Sequence, residues 1–176
     1  ILGDRTQLGA GGGICQVATT CFRAAFFGGF PIVQRHAHPY RIGWYEPPLG
    51  LDATIYTPDV ALRFRNDLQI PIVMQTHIDG ANGVLTFRFY GPGELGRMVE
   101  MEGPYQDQFA KAPPPVYEDD PTLAPGQVIL MEAAHDGVRA TVYRIIKQGG
   151  SVVAREKFVS EYQPWPARYK RGPAKR

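Results

Sequence analysis

Long apolar runs are missing from this 176-residue chain. No stretch approaches the roughly 18 residues that a membrane-spanning helix needs, so no membrane contact is expected within it. Cysteine is scarce, with Cys15 and Cys21 alone. On one helix they would stand about 9 Å apart at 1.5 Å per residue, beyond the roughly 7 Å that a disulfide tolerates. They would also lie about 240° apart around the axis, so two unlinked thiols with different jobs are expected. An excess of one charge is lacking too: 19 Lys and Arg against 17 Asp and Glu give a formal net charge of +2. With neither a basic helix nor an RNA-binding aromatic motif, nucleic acid is not an expected partner. The opening ILGDRTQLGAGG has no charged leading region and no continuous apolar core, so it is not a secretory signal. It lacks a starting Met as well, and the expectation is a piece of an exported protein whose signal or anchor lies elsewhere.

Glycine and proline are plentiful, 20 and 16 residues, which points to many turns and short strands. The length suits one domain or two small ones, and a hydrophobic fraction of 44% is enough for a core. The most informative stretch is GAGGGICQVATTCFRAAFFGG, Gly9 to Gly29. Residues 1–13 read as a glycine-rich approach loop, and the pattern turns helical from Cys15 to about Phe27. Val17, Ala18, Cys21, Phe22, Ala25 and Phe26 recur at i, i+3 and i+4, an apolar stripe facing a core. Arg23 falls off that stripe and is expected in solvent, while Gly28 and Gly29 supply the stop.

Downstream the period changes. FPIVQRHAHPYRIGWYEP reads as one or two strands broken at Pro39, and GLDATIYTPDVALRFRND as two more with a turn near Pro58 and Asp59. IPIVMQTHIDGANGVLTFRFYG is the cleanest hairpin, its alternating arms flanking DGANG. KAPPPVYEDDPTLAPG is proline-rich and acidic and reads as an extended linker. Beyond it, two hairpin-like turns, HDG and QGG, suggest a small antiparallel β module, and YKRGPAKR reads as a basic tail, disordered at its end.

A thiol in the first turn of a helix sits at the positive end of the backbone dipole, where unpaired N–H groups favour the thiolate. The same groups can hold an oxyanion, and glycines let a substrate backbone come close. A cysteine nucleophile needs a base, and the base an orienting group. His36 and His38 on one strand are candidate bases, and Asp52 in GLDAT is the candidate acid. The order Cys, His, Asp from a helix start into strands is that of papain-like and NlpC-type cysteine enzymes, a fold-level analogy. The bland alternative is that Cys15 is a core residue, as Cys21 on the apolar stripe is read to be. A phosphate loop is disfavoured because GAGGGICQ lacks the Lys-Ser/Thr pair and a preceding strand. The HAH pair could instead share a metal, completed by Asp52 or His77, whereas His77 and His135 beside turns otherwise just meet water.

The segment GGGICQVATTCFRAAFFGGFPIVQRHAHPYRIGWYEPPLGLDATIY resembles the central motif of the VanW family, a family named from vancomycin-resistance clusters. That motif runs Gly-Gly-x-Cys-Gln-Val-Ser/Thr-Thr, then a helix, then Glu-Arg-x-x-His-Ser, then Gly-x-Asp-Ala-Thr, and the match continues through DVALRFRND over roughly residues 1–90. Ala18, Gln34 and Pro39 stand where the family often has Ser, Glu and Ser. The segment from Asp120 resembles the small glycine-named, G-five-like β module of bacterial wall proteins. The resemblance implies an α+β fold with a papain/NlpC-like arrangement, one N-terminal helix packed on an antiparallel sheet, over residues 1–112. An all-β module over 113–174 follows, opening on the Pro-rich linker. Part of the first domain is expected to precede residue 1, leaving 1–8 as an incomplete edge. It further implies cysteine-dependent acyl transfer on peptidoglycan stem peptides, of L,D-transpeptidase type or trimming as a carboxypeptidase, outside the cytoplasm in a bacterial envelope. The nucleophile maps to Cys15, the base to His38 with His36 as the alternative, and the acid to Asp52. Gly13 and Gln16 would serve the oxyanion, and Arg35, Tyr40 and Arg41 the substrate, with no cofactor and no metal. A non-enzymatic wall-binding module and a metal-dependent hydrolase built on the HAH pair are the competing readings.

Overall fold

In the computed structural model, residues 12–91 and 96–174 are described. The glycine-rich approach up to residue 11, the expected edge at 1–8 and the last two residues of the basic tail lie outside them. The chain is mostly β, with one α-helix among the described residues. In order come α1 (Ile14–Phe27), β1 (Ile32–Gln34), a 3₁₀ turn (Gly43–Tyr45), β2 (Arg63–Phe64), β3 (Val73–Asp79) and β4 (Val84–Tyr90). They are followed by β5 (Arg97–Ala110), β6 (Val116–Asp119), β7 (Val128–Glu132), β8 (Gly137–Gln148), β9 (Ser151–Tyr162) and β10 (Arg168–Arg171). β1 pairs antiparallel with β2, and β3 with β4 in unbroken register from Val73 opposite Tyr90 to Asp79 opposite Val84. The strand orders of the two remaining sheets are β5-β8-β9 and β6-β10-β7. The chain forms two compact units: residues 1–37, 51–102 and 144–156, and residues 38–50, 103–143 and 157–176.

In the first unit α1 supplies the core. Ala18, Phe22, Ala25 and Phe26 are buried, as their spacing predicts. The stripe sits slightly differently from its expected position, because Val17 is exposed and Thr19 is buried. Below the helix, Phe30, Phe64 and Phe89 form an aromatic cluster with ring centroids 5.5–6.0 Å apart. The helix ends as its glycines require. The Phe30 N–H donates to Ala25 O at 3.0 Å and the Gly29 N–H to Phe26 O at 3.1 Å, a Schellman pair. That geometry puts Gly29 at φ 72°, which a side chain would resist. Arg144 of β8, fully buried, adds a second donor to the capped Phe26 O and also meets Phe30 O just past the helix, its Nη1 donating to each at 3.0 Å. Its Nε donates to Glu156 Oε2 at 2.6 Å, and its guanidinium lies over the Phe26 ring. A cation is therefore built onto the negative end of the helix.

In the second unit β10 is central, parallel to β6 on one side and antiparallel to β7 on the other. Three sequence expectations change here. The Pro-rich segment is not simply a linker, because Val116–Asp119 forms β6, and YKR of the basic tail lies in β10. The two pair across fifty-two residues, shown by Arg171 Nε donating to Asp119 Oδ1 at 2.6 Å. A four-residue strand between prolines gives no periodic signal, so only its distant partner reveals it. The HDG turn does not join a hairpin, because β7 pairs with β10 while His135 bridges Trp165. The QGG turn does join β8 to β9.

Asp120 ties this unit's sheet together. It accepts from the Thr122 hydroxyl at 2.6 Å, the Thr122 N–H at 3.0 Å and Lys170 Nζ at 2.9 Å. The Thr122 hydroxyl first and Lys170 second hold its carboxyl down to about 2. A carboxyl depressed on folding adds stability above its unfolded value of about 3.9, and that stability is lost as pH falls through the folded value. Asp120→Asn is therefore expected to lower the thermal midpoint at pH 5, with the deficit closing towards pH 2. A deficit equal at both pH values, measured by circular dichroism melting, would refute this origin.

Candidate functional site

The helix carrying Cys15 begins at a residue suited to a sharp entry. Gly13 caps α1 at φ 94°, with no side-chain cap. The Val17 N–H to Gly13 O bond at 3.0 Å is the first helical one. The N–H groups of Ile14, Cys15 and Gln16 therefore have no acceptor within the helix, and the Cys15 thiol sits in that first turn, half-buried. No disulfide joins it to Cys21, and burial pushes the Cys21 thiol up, which keeps it protonated at neutral pH.

A polar face of α1 grips the segment at residues 51–55, and sequence reading missed it. Cys15, Thr19 and Arg23 follow one another at i, i+4 and i+8 and so share one face. Cys15 Sγ lies 3.4 Å from Thr54 Oγ1 and can donate to Ile55 O at 3.8 Å. Thr19 Oγ1 donates to Ala53 O at 3.1 Å and accepts from the Ala53 N–H at 3.0 Å. Arg23 Nε donates to Leu51 O at 2.8 Å, so its expected position in solvent is corrected: it is half-buried and anchors backbone. The helix and the GLDAT segment thus run antiparallel with one polar contact per turn. The signal in the sequence was the four-residue spacing of these three residues, hidden beside the stronger apolar stripe.

The strand side of GLDAT is held by β1 and its extension. The Thr54 N–H donates to His36 O at 2.9 Å, making an antiparallel bridge. Arg35 Nε donates to Asp52 O at 2.6 Å and its Nη2 to Asp52 Oδ1 at 3.2 Å, with both side chains 6% exposed. The Arg35 guanidinium also lies over the Phe22 ring. Arg35, expected to fork a substrate carboxylate, is thus turned inward onto Asp52. The structure therefore gathers Cys15, Thr54, Arg35 and Asp52, together with the backbone of His36, in the first unit.

The other expected residues stand as follows. His36 is exposed and accepts from Gln34 Nε2 at 3.1 Å. Gln16 is exposed, and its carbonyl accepts from the Thr20 hydroxyl at 2.8 Å. His38, Tyr40 and Arg41 belong to the second unit. There His38 is buried against the Tyr45 ring, centroids 5.3 Å apart. Tyr40 packs edge-on to Trp165 at 4.6 Å, and Arg41 makes a two-pronged pair with Glu46 at 2.7 and 2.6 Å. Among the described residues no three His, Cys, Asp or Glu side chains gather as a metal would need. His77 and His135 are exposed. Among the described residues no helix is long and apolar enough to cross a membrane.

Comparison with known proteins places these elements. The family described as VanW like protein matches residues 1–90, and the G5 domain matches residues 108–174. The chain is 40% identical over 78 residues to the protein YoaR of Bacillus subtilis (strain 168), a stretch covering 44% of the chain and 25% of that relative. The chain thus spans about a quarter of that relative's length. Among solved structures, the G5 domain of an IgA1 protease aligns at 21% identity and TM-score 0.27, over 45% of this chain and 92% of that one. HP0197-G5 aligns at 16% identity and TM-score 0.22, over 43% and 97%.

Proposed function

The chain belongs to the VanW family, and on that premise we propose that it is a cysteine acyltransferase acting on peptidoglycan stem peptides at the bacterial cell wall. The observation that carries the reading is the Cys15 thiol, set in the first turn of α1 beside three N–H groups and fixed against Thr54. On this reading the sulfur attacks the carbonyl of a diaminoacyl residue, and the amides of the first turn around Gly13 and Gln16 stabilise the oxyanion. His38, matching the family's histidine, takes the thiol proton and passes it to the departing amine of the terminal D-residue. Asp52, whose carboxylate Arg35 orients, fixes the imidazole tautomer. His36 is the alternative base. A stem amine from a second strand then attacks the thioester, gives up its proton to the imidazole and forms the crosslink, whereas water in its place trims the stem. The helix-first thiol followed by histidine and acid supports the papain/NlpC-like arrangement as the finer fold reading.

The G5 domain at 108–174 supports a wall-binding role for the second unit and an extracytoplasmic location. A wall-binding module without chemistry is the competing reading. The two are separated by incubating the purified protein with a disaccharide tetrapeptide and mapping the quenched protein by mass spectrometry. Acyl transfer predicts a stem-peptide adduct on the Cys15 peptide that hydroxylamine removes, and a protein of unchanged mass would overturn it.

A further inference from the structure

The structure assigns Thr54 as the residue that sets the ionisation and aim of the Cys15 sulfur, an inference that rests on reading Cys15 as the nucleophile. Two of the groups at the sulfur favour opposite protonation states. The Ile55 carbonyl, 3.8 Å away, can only accept, and so stabilises the thiol. The Thr54 hydroxyl, 3.4 Å away, can donate, and so stabilises the thiolate. When the base removes the thiol proton, the S–H bond to Ile55 O is lost and the Thr54 O–H turns onto the sulfur.

That donor is built in advance. The Thr54 backbone is pinned by its bridge to His36, with N–H to O at 2.9 Å, and its β-branched side chain has few χ1 choices. Residues directly opposed in an antiparallel bridge project to one face, so the Thr54 and His36 side chains leave the bridge together. Thr19 and Arg23 hold the neighbouring backbone of Ala53 and Leu51 against the same helix face. Among the described residues, the charged and titratable groups on the segments packed there include His36, the Arg35–Asp52 pair and Arg23, and α1 brings no acidic residue in its first turn. All are left intact by a change at Thr54. The residue is a positioning group, and it acts through the sulfur.

The test is the rate of Cys15 alkylation by iodoacetamide in the purified protein, followed by peptide mass spectrometry near pH 6.5 and near pH 10. Cys21 is the internal reference. A hydrogen bond to a charged group is strong enough to shift the thiolate fraction by about tenfold. Thr54→Val, which keeps the shape and removes the hydroxyl, should slow labelling about tenfold at the lower pH and less than about twofold at the higher. Thr54→Ser should stay within about threefold of the parent at both. Labelling of Thr54→Val at the parent rate near pH 6.5 overturns the assignment, and so does equal slowing at both pH values, which would mean lost access. If Thr54→Val fails to melt cooperatively, Thr54→Ala is read against the same two outcomes. The assay needs no peptidoglycan, so it is independent of whether the protein transfers acyl groups. A Thr54 effect on labelling alongside no thioester on Cys15 would sink the enzymatic reading and leave this one standing.

Discussion

Cys15→Ala is expected to lower crosslinking of purified muropeptides by at least about a thousandfold, to the level of a protein-free control, because loss of a covalent nucleophile removes the whole two-step route. Cys15→Ser should be almost as poor, since a hydroxyl at that site stays protonated where a thiol can ionise. The fold should hardly notice. Cys15 is half-buried, with a hydroxyl and a carbonyl among its side chain's contacts, so a loss of no more than about 1 kcal/mol is expected. Sedimentation with insoluble wall material should also be unchanged, because the G5 domain lies at residues 108–174. Product formation by dimeric muropeptide analysis decides the matter. Retained turnover in Cys15→Ala removes the acyl-transfer reading, and unchanged sedimentation then leaves wall binding as the function.

The largest loss of stability is expected at Arg144. Its side chain has 0% exposure and donates to two carbonyls at the end of α1, with a third, Ala25 O, at 3.5 Å. Glu156 on β9 is a further partner and remains partly in contact with water. Arg144→Met keeps most of the aliphatic stem but strips the donors, which leaves buried acceptors at a helix terminus without their cation. Breaking such a buried network costs about 3–5 kcal/mol, roughly a fifth or more of a stability of about 5–15 kcal/mol. Arg144→Lys should fall between, because one ammonium supplies charge but not the planar fork that spans several carbonyls. Urea unfolding followed by circular dichroism gives the values. A Met variant within about 1 kcal/mol of the parent would show that the carbonyls are satisfied without the guanidinium.

The parts of this molecule that were legible in its sequence are those written in short-range pattern. α1 and its stop were visible because apolar spacing and two glycines sit within one stretch, and the β3–β4 hairpin because alternation flanks a turn-forming tract. Local pattern carries no record of partners far along the chain. β6 reads as linker in the sequence because its four residues are framed by prolines and their partner is the distant β10. Most of β5 was unread, since its charged residues are explained only by their partners, Glu100 by Lys147 and Glu102 by Arg155. At the site, Cys15 and Asp52 stood out by residue type. Thr19, Arg23 and Thr54 did not, because an ordinary hydroxyl or guanidinium acquires its role only when a particular backbone comes to rest against it. Arg35 shows the converse: its chemistry suggested an outside anion, and the fold supplies an inside one.

The shared face of Cys15, Thr19 and Arg23 carries a consequence for how the sulfur is directed. Two of these three side chains clamp backbone, and the third carries the thiol, so the compass bearing of the sulfur is tied to the phase of the helix. One extra residue between Cys15 and Thr19 would leave both clamps seated yet swing the sulfur about 100° around the axis. The molecule would still fold and still melt cooperatively, with its thiol pointing at the wrong horizon.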